Sequence, residues 1–194
     1  MKGGDPPVLA SFFAALLAGE TEHLVISAII ERCGELQCPM VDSLLPFTDA
    51  RYGDDLRIRA AEALAAIGGE KARRRLLEMF DEVGGQRAGG GWQPDHLPLL
   101  ESVARAAART GSRELAQPIA RLLFARVTAL DPLQYDTKAG FPFEETLLGA
   151  LLDLARAAAD PAGVAAAIEQ QLDREADTGD LMQFPKALFQ RLAK

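Results

Sequence analysis

Apolar residues recur every three to four positions along almost the whole chain, and no segment alternates apolar and polar one by one. The first spacing lines one face of an α-helix; the second would mark a half-buried strand. The period predicts an all-α chain with helices over 7–18, 22–34, 38–46, 55–67, 70–83, 96–110, 113–128, 144–158, 161–174 and 178–193. The clearest stretch is 54–69, Asp-Asp-Leu-Arg-Ile-Arg-Ala-Ala-Glu-Ala-Leu-Ala-Ala-Ile-Gly-Gly. Asp54 and Asp55 suit a helix start, where the helix dipole favours negative charge. Leu56, Ala60, Ala61, Leu64 and Ile67 form the apolar stripe, Gly68-Gly69 ends the helix, and a second helix begins at Glu70.

The same phrase returns. With Gly68 as anchor, Gly111 stands in its place one repeat later, preceded by the stripe Leu99, Val103, Ala104, Ala107 and Thr110. Ala158 stands there one repeat further on, after Thr146, Ala150, Leu151, Leu154 and Ala157; Thr146 breaks the stripe, with Leu147 beside it. Going back toward the N-terminus, Gly34 follows Ile26, Ser27, Ile30 and Cys33. A second helix follows each anchor, with Leu76, Leu77 and Phe80 matching Ile119, Ala120 and Leu123. Anchors at 34, 68, 111 and 158 are unevenly spaced because the connections between pairs differ in length. One helix pair cannot bury its apolar face alone, so neighbouring pairs stack and share a core.

Residues 54–80 resemble a HEAT repeat of the short bacterial kind known as phycobilisome-lyase HEAT-like repeats. That pattern runs Asp, Val-Arg, Ala-Ala-x-Ala-Leu, Ile-Gly and a second helix, and the chain supplies Asp54, Leu56, Arg57, Ala60, Ala61, Ala63, Leu64, Ile67 and Gly68. The other repeats depart from it, with Leu100 in the place of Arg57 and Ala158 in that of Gly68. The resemblance implies an α-solenoid of about four to five antiparallel helix pairs forming a single domain over 1–194. The repeats fall at 22–47, 55–83, 96–128 and 144–174, with capping helices at 7–18 and 178–193. It also implies that the second helices line a concave face, and that Asp54 and Arg57 tie adjacent repeats together rather than catalyse. The family name carries no lyase activity with it, because such repeats serve unrelated roles.

Composition narrows the partners. The 194 residues carry a net charge of −7, which opposes a general hold on a phosphate backbone or an anionic membrane. Residues 8–18 have the length of a signal-peptide core, but Asp5, Pro6 and Pro7 precede them and Lys2 is the only basic residue there, so a capping helix is predicted. No run reaches the ~18 apolar residues of a membrane span. Cys33 and Cys38 are predicted to be buried thiols in a reducing compartment, although a disulfide is geometrically conceivable.

The turns within pairs are tight, whereas the connections between pairs, about 47–54, 84–95 and 129–143, are long and project from one edge. Tyr52, Trp92, Tyr135, Phe141 and Phe143 gather in or beside them. Two readings follow: an edge that binds a partner, since Trp and Tyr are enriched at interaction hot spots, or lids folded onto the core. A second candidate is the run Lys71, Arg73, Arg74 and Arg75. With Leu76 and Leu77 turned to the core, the arginines face outward, either toward the concave groove or as a solvated surface with pairs such as Arg74–Glu78.

Enzymatic patterns are not met. The Gly-rich run at 84–91 lacks the Lys-Ser/Thr of a phosphate loop. Glu22-His23 and Asp95-His96 do not make the His-Glu metal pairs of HEAT-like hydroxylases, and HEAT-like DNA glycosylases need a basic groove. The reading is a non-catalytic, cytoplasmic protein-binding module, an adaptor or scaffold, with no cofactor, metal or nucleic acid. Tyr52, Trp92, Tyr135, Phe141 and Arg74 are its candidate contact residues. The alternatives are a subunit or regulator of a bilin-lyase-type enzyme, and a structural module of a larger complex.

Overall fold

A computed structural model of the chain describes residues 6–85, 97–120 and 142–176, and every regular element among them is helical. They divide into two compact units, Met1–Ala107 and Ala108–Lys194. The first unit holds α1 (Pro6–Gly19), α2 (His23–Glu35), the short α3 (Val41–Leu44) running into a 3-10 turn (Leu45–Thr48), α4 (Asp54–Ile67), α5 (Glu70–Gly85) and all but the last residue of α6 (Leu97–Ala108). The second holds a 3-10 turn (Arg113–Leu115) with helical residues 116–120, then α7 (Pro142–Ala157) and α8 (Pro161–Ala176). The expected helix 178–193 and the later part of 113–128 lie outside the described residues.

The apolar stripes are the buried faces. Leu56, Ala60, Ala61 and Leu64 of α4 are buried, as are Leu99, Val103, Ala104 and Ala107 of α6 and Leu147, Ala150, Leu151 and Leu154 of α7. The last stripe residues Ile67, Thr110 and Ala157 reach solvent, because each sits at or just past the end of its helix, where the chain turns away. Helix α4 stops at Gly68, whose φ of 74° and ψ of −161° suit a residue without Cβ, while its N–H still donates to the Leu64 carbonyl at 2.9 Å. Gly111, its counterpart, also has a positive φ of 67°. The α7–α8 turn uses different chemistry: Pro161 opens α8, and the Asp160 carboxylate accepts from the Gly163 N–H at 2.9 Å.

In the first unit, α2 and α4 make the most extensive helix–helix contact among the described elements. Gly34 permits it, since a Cβ there would come within 2.9 Å of the Ala63 Cα. Gly34 is therefore not a turn residue as the repeat register predicts. Helix α2 continues to Glu35 and reverses at Leu36-Gln37, with Gln37 at φ 49°. An ion pair, Arg59–Glu31 at 2.6 Å, closes the same contact at the surface. Helix α4 is also linked to α6, where the buried Ser102 donates to Glu62 at 3.4 Å.

Two further differences have simple causes. The expected helix 38–46 is broken into α3 and a 3-10 turn, because Pro39 and Pro46 each lack a backbone donor, so Pro46 cannot bond the Asp42 carbonyl that would continue the α-helix. In α5 the core positions are Ala72, Leu76, Met79, Phe80 and Val83, so Leu77 is only half-buried. That rotation brings Arg75 to the flank of the helix instead of its outer side.

Candidate partner-binding groove

A groove of about 570 Å³ lies between α3 with its 3-10 turn and the outer flank of α5. Its inner wall rests on Thr48, which is fully buried. The Thr48 hydroxyl donates to the Leu45 carbonyl at 2.7 Å and accepts from Arg75 Nε at 2.6 Å. The Thr48 carbonyl accepts from Arg57 Nε and from a terminal Arg75 nitrogen, both at 3.3 Å. One residue of the 3-10 turn thus fastens the start of α4 and the middle of α5 together. Arg57, only 7 % exposed, also reaches Asp54 at 3.3 Å. Because a buried cation without partners is strongly unfavourable, Arg57 is spent on this junction.

Arg75 is the second cation of the junction. Its guanidinium contacts Glu82 at 2.7 Å, Glu78 at 3.3 Å and Asp49 at 3.9 Å. Burial pulls its pKa down, but the hydrogen bonds and charges of Glu82 and Glu78 outweigh that and hold it above its ordinary value. It stays charged at any working pH.

The rim is different in kind. Lys71 pairs with Asp42 at 2.9 Å across the groove, with both side chains well exposed. Arg73 folds back on Glu70 at 2.7 Å; this hydrogen bond outweighs the opposing effect of burial and, with the Arg73 and Arg74 charges, holds the Glu70 carboxyl below its ordinary value. Arg74 reaches the same Glu70 only at 4.0 Å and is 71 % exposed. The pairing expected with Glu78 goes instead to Arg75, because α5 is rotated. The basic run 71–75 is therefore not a uniform positive patch; acids around it already engage its members, Arg74 the most loosely. Leu45 and Pro46 supply the apolar part of the lining.

Tyr52 is half-buried beside this junction. Its ring packs at a 45° tilt against the core residue Phe47, centroids 5.2 Å apart, and the Arg51 guanidinium lies 5.2 Å from its centroid. The ring thus packs on the core and remains partly open to solvent beside Arg51, which lines the groove. Trp92, Tyr135 and Phe141, the other expected contact residues, lie outside the described residues.

A second depression, about 680 Å³, lies in the second unit between residues 113–117 and α8. The neutral amides of Gln117 and Gln170 meet at 3.4 Å across it, and Arg113 turns to Asp160 at 3.8 Å. Among the described residues, no three His, Cys, Asp or Glu side chains come together as metal ligands. No described helix is long and apolar enough to cross a membrane.

Cys33 and Cys38 are fully buried free thiols. The end of α2 brings them together: Gln37 N–H donates to the Gly34 carbonyl at 3.1 Å and Cys38 N–H to the Cys33 carbonyl at 3.0 Å. This is a Schellman cap, whose apolar contact joins the positions these two cysteines occupy. Burial, reinforced by the neighbouring Cys38, pushes the Cys33 thiol up to about 12. Such a thiol is an inert packing group rather than a nucleophile.

Sequence reading missed Thr48 as a junction and Arg75 as an inward cation. Thr48 carries no local signal, since its partners lie nine and twenty-seven residues on. Compared with protein-family models, with curated proteins and with solved structures, the chain shows no match.

Proposed function

We propose that the chain is a non-catalytic, cytoplasmic adaptor built as a solenoid of HEAT-like helix pairs, and that it binds an extended segment of a partner protein in the groove beside Arg74. The solenoid reading is supported by the packing of α4 on α2 and by the Ser102–Glu62 hydrogen bond that links α4 to α6, the first helices of successive pairs. The observation that carries the binding site is the contrast along one wall. Arg75 is locked inward, while Arg74 stands exposed with a single 4.0 Å pair, next to Leu45, Pro46 and the Arg51–Tyr52 edge. A partner segment that sets a carboxylate on Arg74 and an apolar side chain on Leu45 and Pro46 would use what the groove offers. Reorganising so loose an exposed pair costs little.

Affinity capture with tagged protein, in parallel with an Arg74→Glu variant, tests this. A partner held by the wild type and lost by the correctly folded variant supports the groove. Identical bound species in both would remove it.

A further inference from the structure

The depression in the second unit has the same place in its helix pairs as the groove beside Arg74 has in the first. Each lies between the second helices of two successive pairs. In the repeat register, Gln117 stands at the same step after Gly111 as Arg74 does after Gly68. Where one groove carries an exposed cation, the other carries a neutral amide that meets Gln170 of α8.

The surroundings favour a main chain over a charged side chain. Arg113, on the lining, pairs with Asp160 at 3.8 Å, so the two charges offset each other there. Asp160 is itself fixed by accepting from the Gly163 N–H. Ala166 and Ala167 of α8 are small, and a backbone can approach closely over them. Gln117 Nε2 donates to Gln170 Oε1 at 3.4 Å, and among the described residues neither amide has another partner. One acceptor, Gln117 Oε1, and one donor, Gln170 Nε2, are left open by that bond. An extended residue turns its own N–H and C=O to the same side of the chain, which is how strands pair. It therefore offers the donor and the acceptor that the two glutamines lack, and their own bond stays intact.

From this complementarity we infer that the second groove holds the main chain of an extended, uncharged peptide segment. One of its residues gives its N–H to Gln117 Oε1 and accepts at its carbonyl from Gln170 Nε2. The inference rests on the reading of the chain as a binder of extended segments, but not on Arg74.

An array of N-acetylated, C-amidated hexapeptides made of uncharged residues, probed with the whole labelled chain, supplies the ligand. The tightest binder is then titrated by fluorescence anisotropy. Wild type and Arg74→Glu should bind it alike. Gln117→Leu and Gln170→Leu should each weaken it by about fivefold, the effect of one hydrogen bond. Methylating the peptide nitrogens one at a time should find one position that weakens wild type by a similar factor. That same methyl should change nothing further in Gln117→Leu, because both changes remove one bond. Circular dichroism checks the fold of the variants, and the methyl series on wild type needs no variant. No bound peptide, affinity indifferent to both glutamines, or no methyl position coupled to Gln117 would each overturn the inference. So would a loss in Arg113→Gln with the glutamine variants unaffected, which would make the cation the anchor. A loss in Arg74→Glu would place the peptide in the first groove and overturn it as well.

Discussion

Arg57 and Arg75 reach inward to Thr48 and are largely removed from solvent, whereas Arg74, next to Arg75 in the chain, stands in water with one distant partner. All three are arginines on the same two helices. Arg57 is held by Thr48 and Asp54, and Arg75 by Thr48 and its surrounding carboxylates, and satisfying a buried cation in that way leaves it little to offer a ligand. The outer one is nearly uncommitted. Identical residue types thus divide into a structural junction and a candidate contact according to which flank of α5, or which turn of α4, they occupy.

This division can be broken at its strongest point first. Arg57→Met removes a buried cation bonded to Thr48 and Asp54, so the chain should lose about 2–3 kcal/mol, read as a lower urea midpoint. The folded fraction should still bind the partner. A variant as stable as the wild type would show that the junction is not what holds α4 to the 3-10 turn.

The buried region should also respond to alkali. The Cys33 thiol is raised from its ordinary value of 9.0 to about 12 by burial and by Cys38. A group raised in the fold contributes fully below its unfolded pKa, and that contribution is lost as pH rises toward the folded value. Stability should fall by roughly 1.4 kcal/mol per pH unit above about pH 9. Chemical unfolding across that range checks the slope, and Cys33→Ala should flatten it. An unchanged slope in that variant would place the alkaline sensitivity elsewhere.

A smaller loss is expected from Thr48→Val, which keeps the shape but takes the acceptor from Arg75 Nε and leaves the carbonyl in place. About 1–2 kcal/mol is the expected cost, measured in the same unfolding assay. The smallest change in stability belongs to Arg74→Glu, within about 0.5 kcal/mol, because an exposed pair at 4.0 Å contributes little.

What could be read from sequence follows the range of the interactions. The stripes of α4, α6 and α7 were legible because burial on a helix repeats at a short period, and the buried faces are made of those residues. The stop at Gly68 was legible because a left-handed turn demands glycine. Gly34 looked like the same signal and proved to be a close-approach residue, since a glycine can be needed for φ or for space and the one-letter pattern does not distinguish them. Thr48 was invisible for the opposite reason: its partners are remote and its residue type ordinary. The rotation of α5, set by Ala72 and Met79 joining Leu76 and Phe80 in the core, decided which arginine faces out, and a pattern centred on Leu76 and Leu77 puts both outward.

The most direct measurement is a calorimetric titration of the captured partner's segment into wild type, Thr48→Val and Arg74→Glu, each with its melting temperature. The account predicts that Thr48→Val melts earlier yet binds like the wild type below its transition, and that Arg74→Glu melts like the wild type yet fails to bind. Undiminished affinity in Arg74→Glu would contradict it.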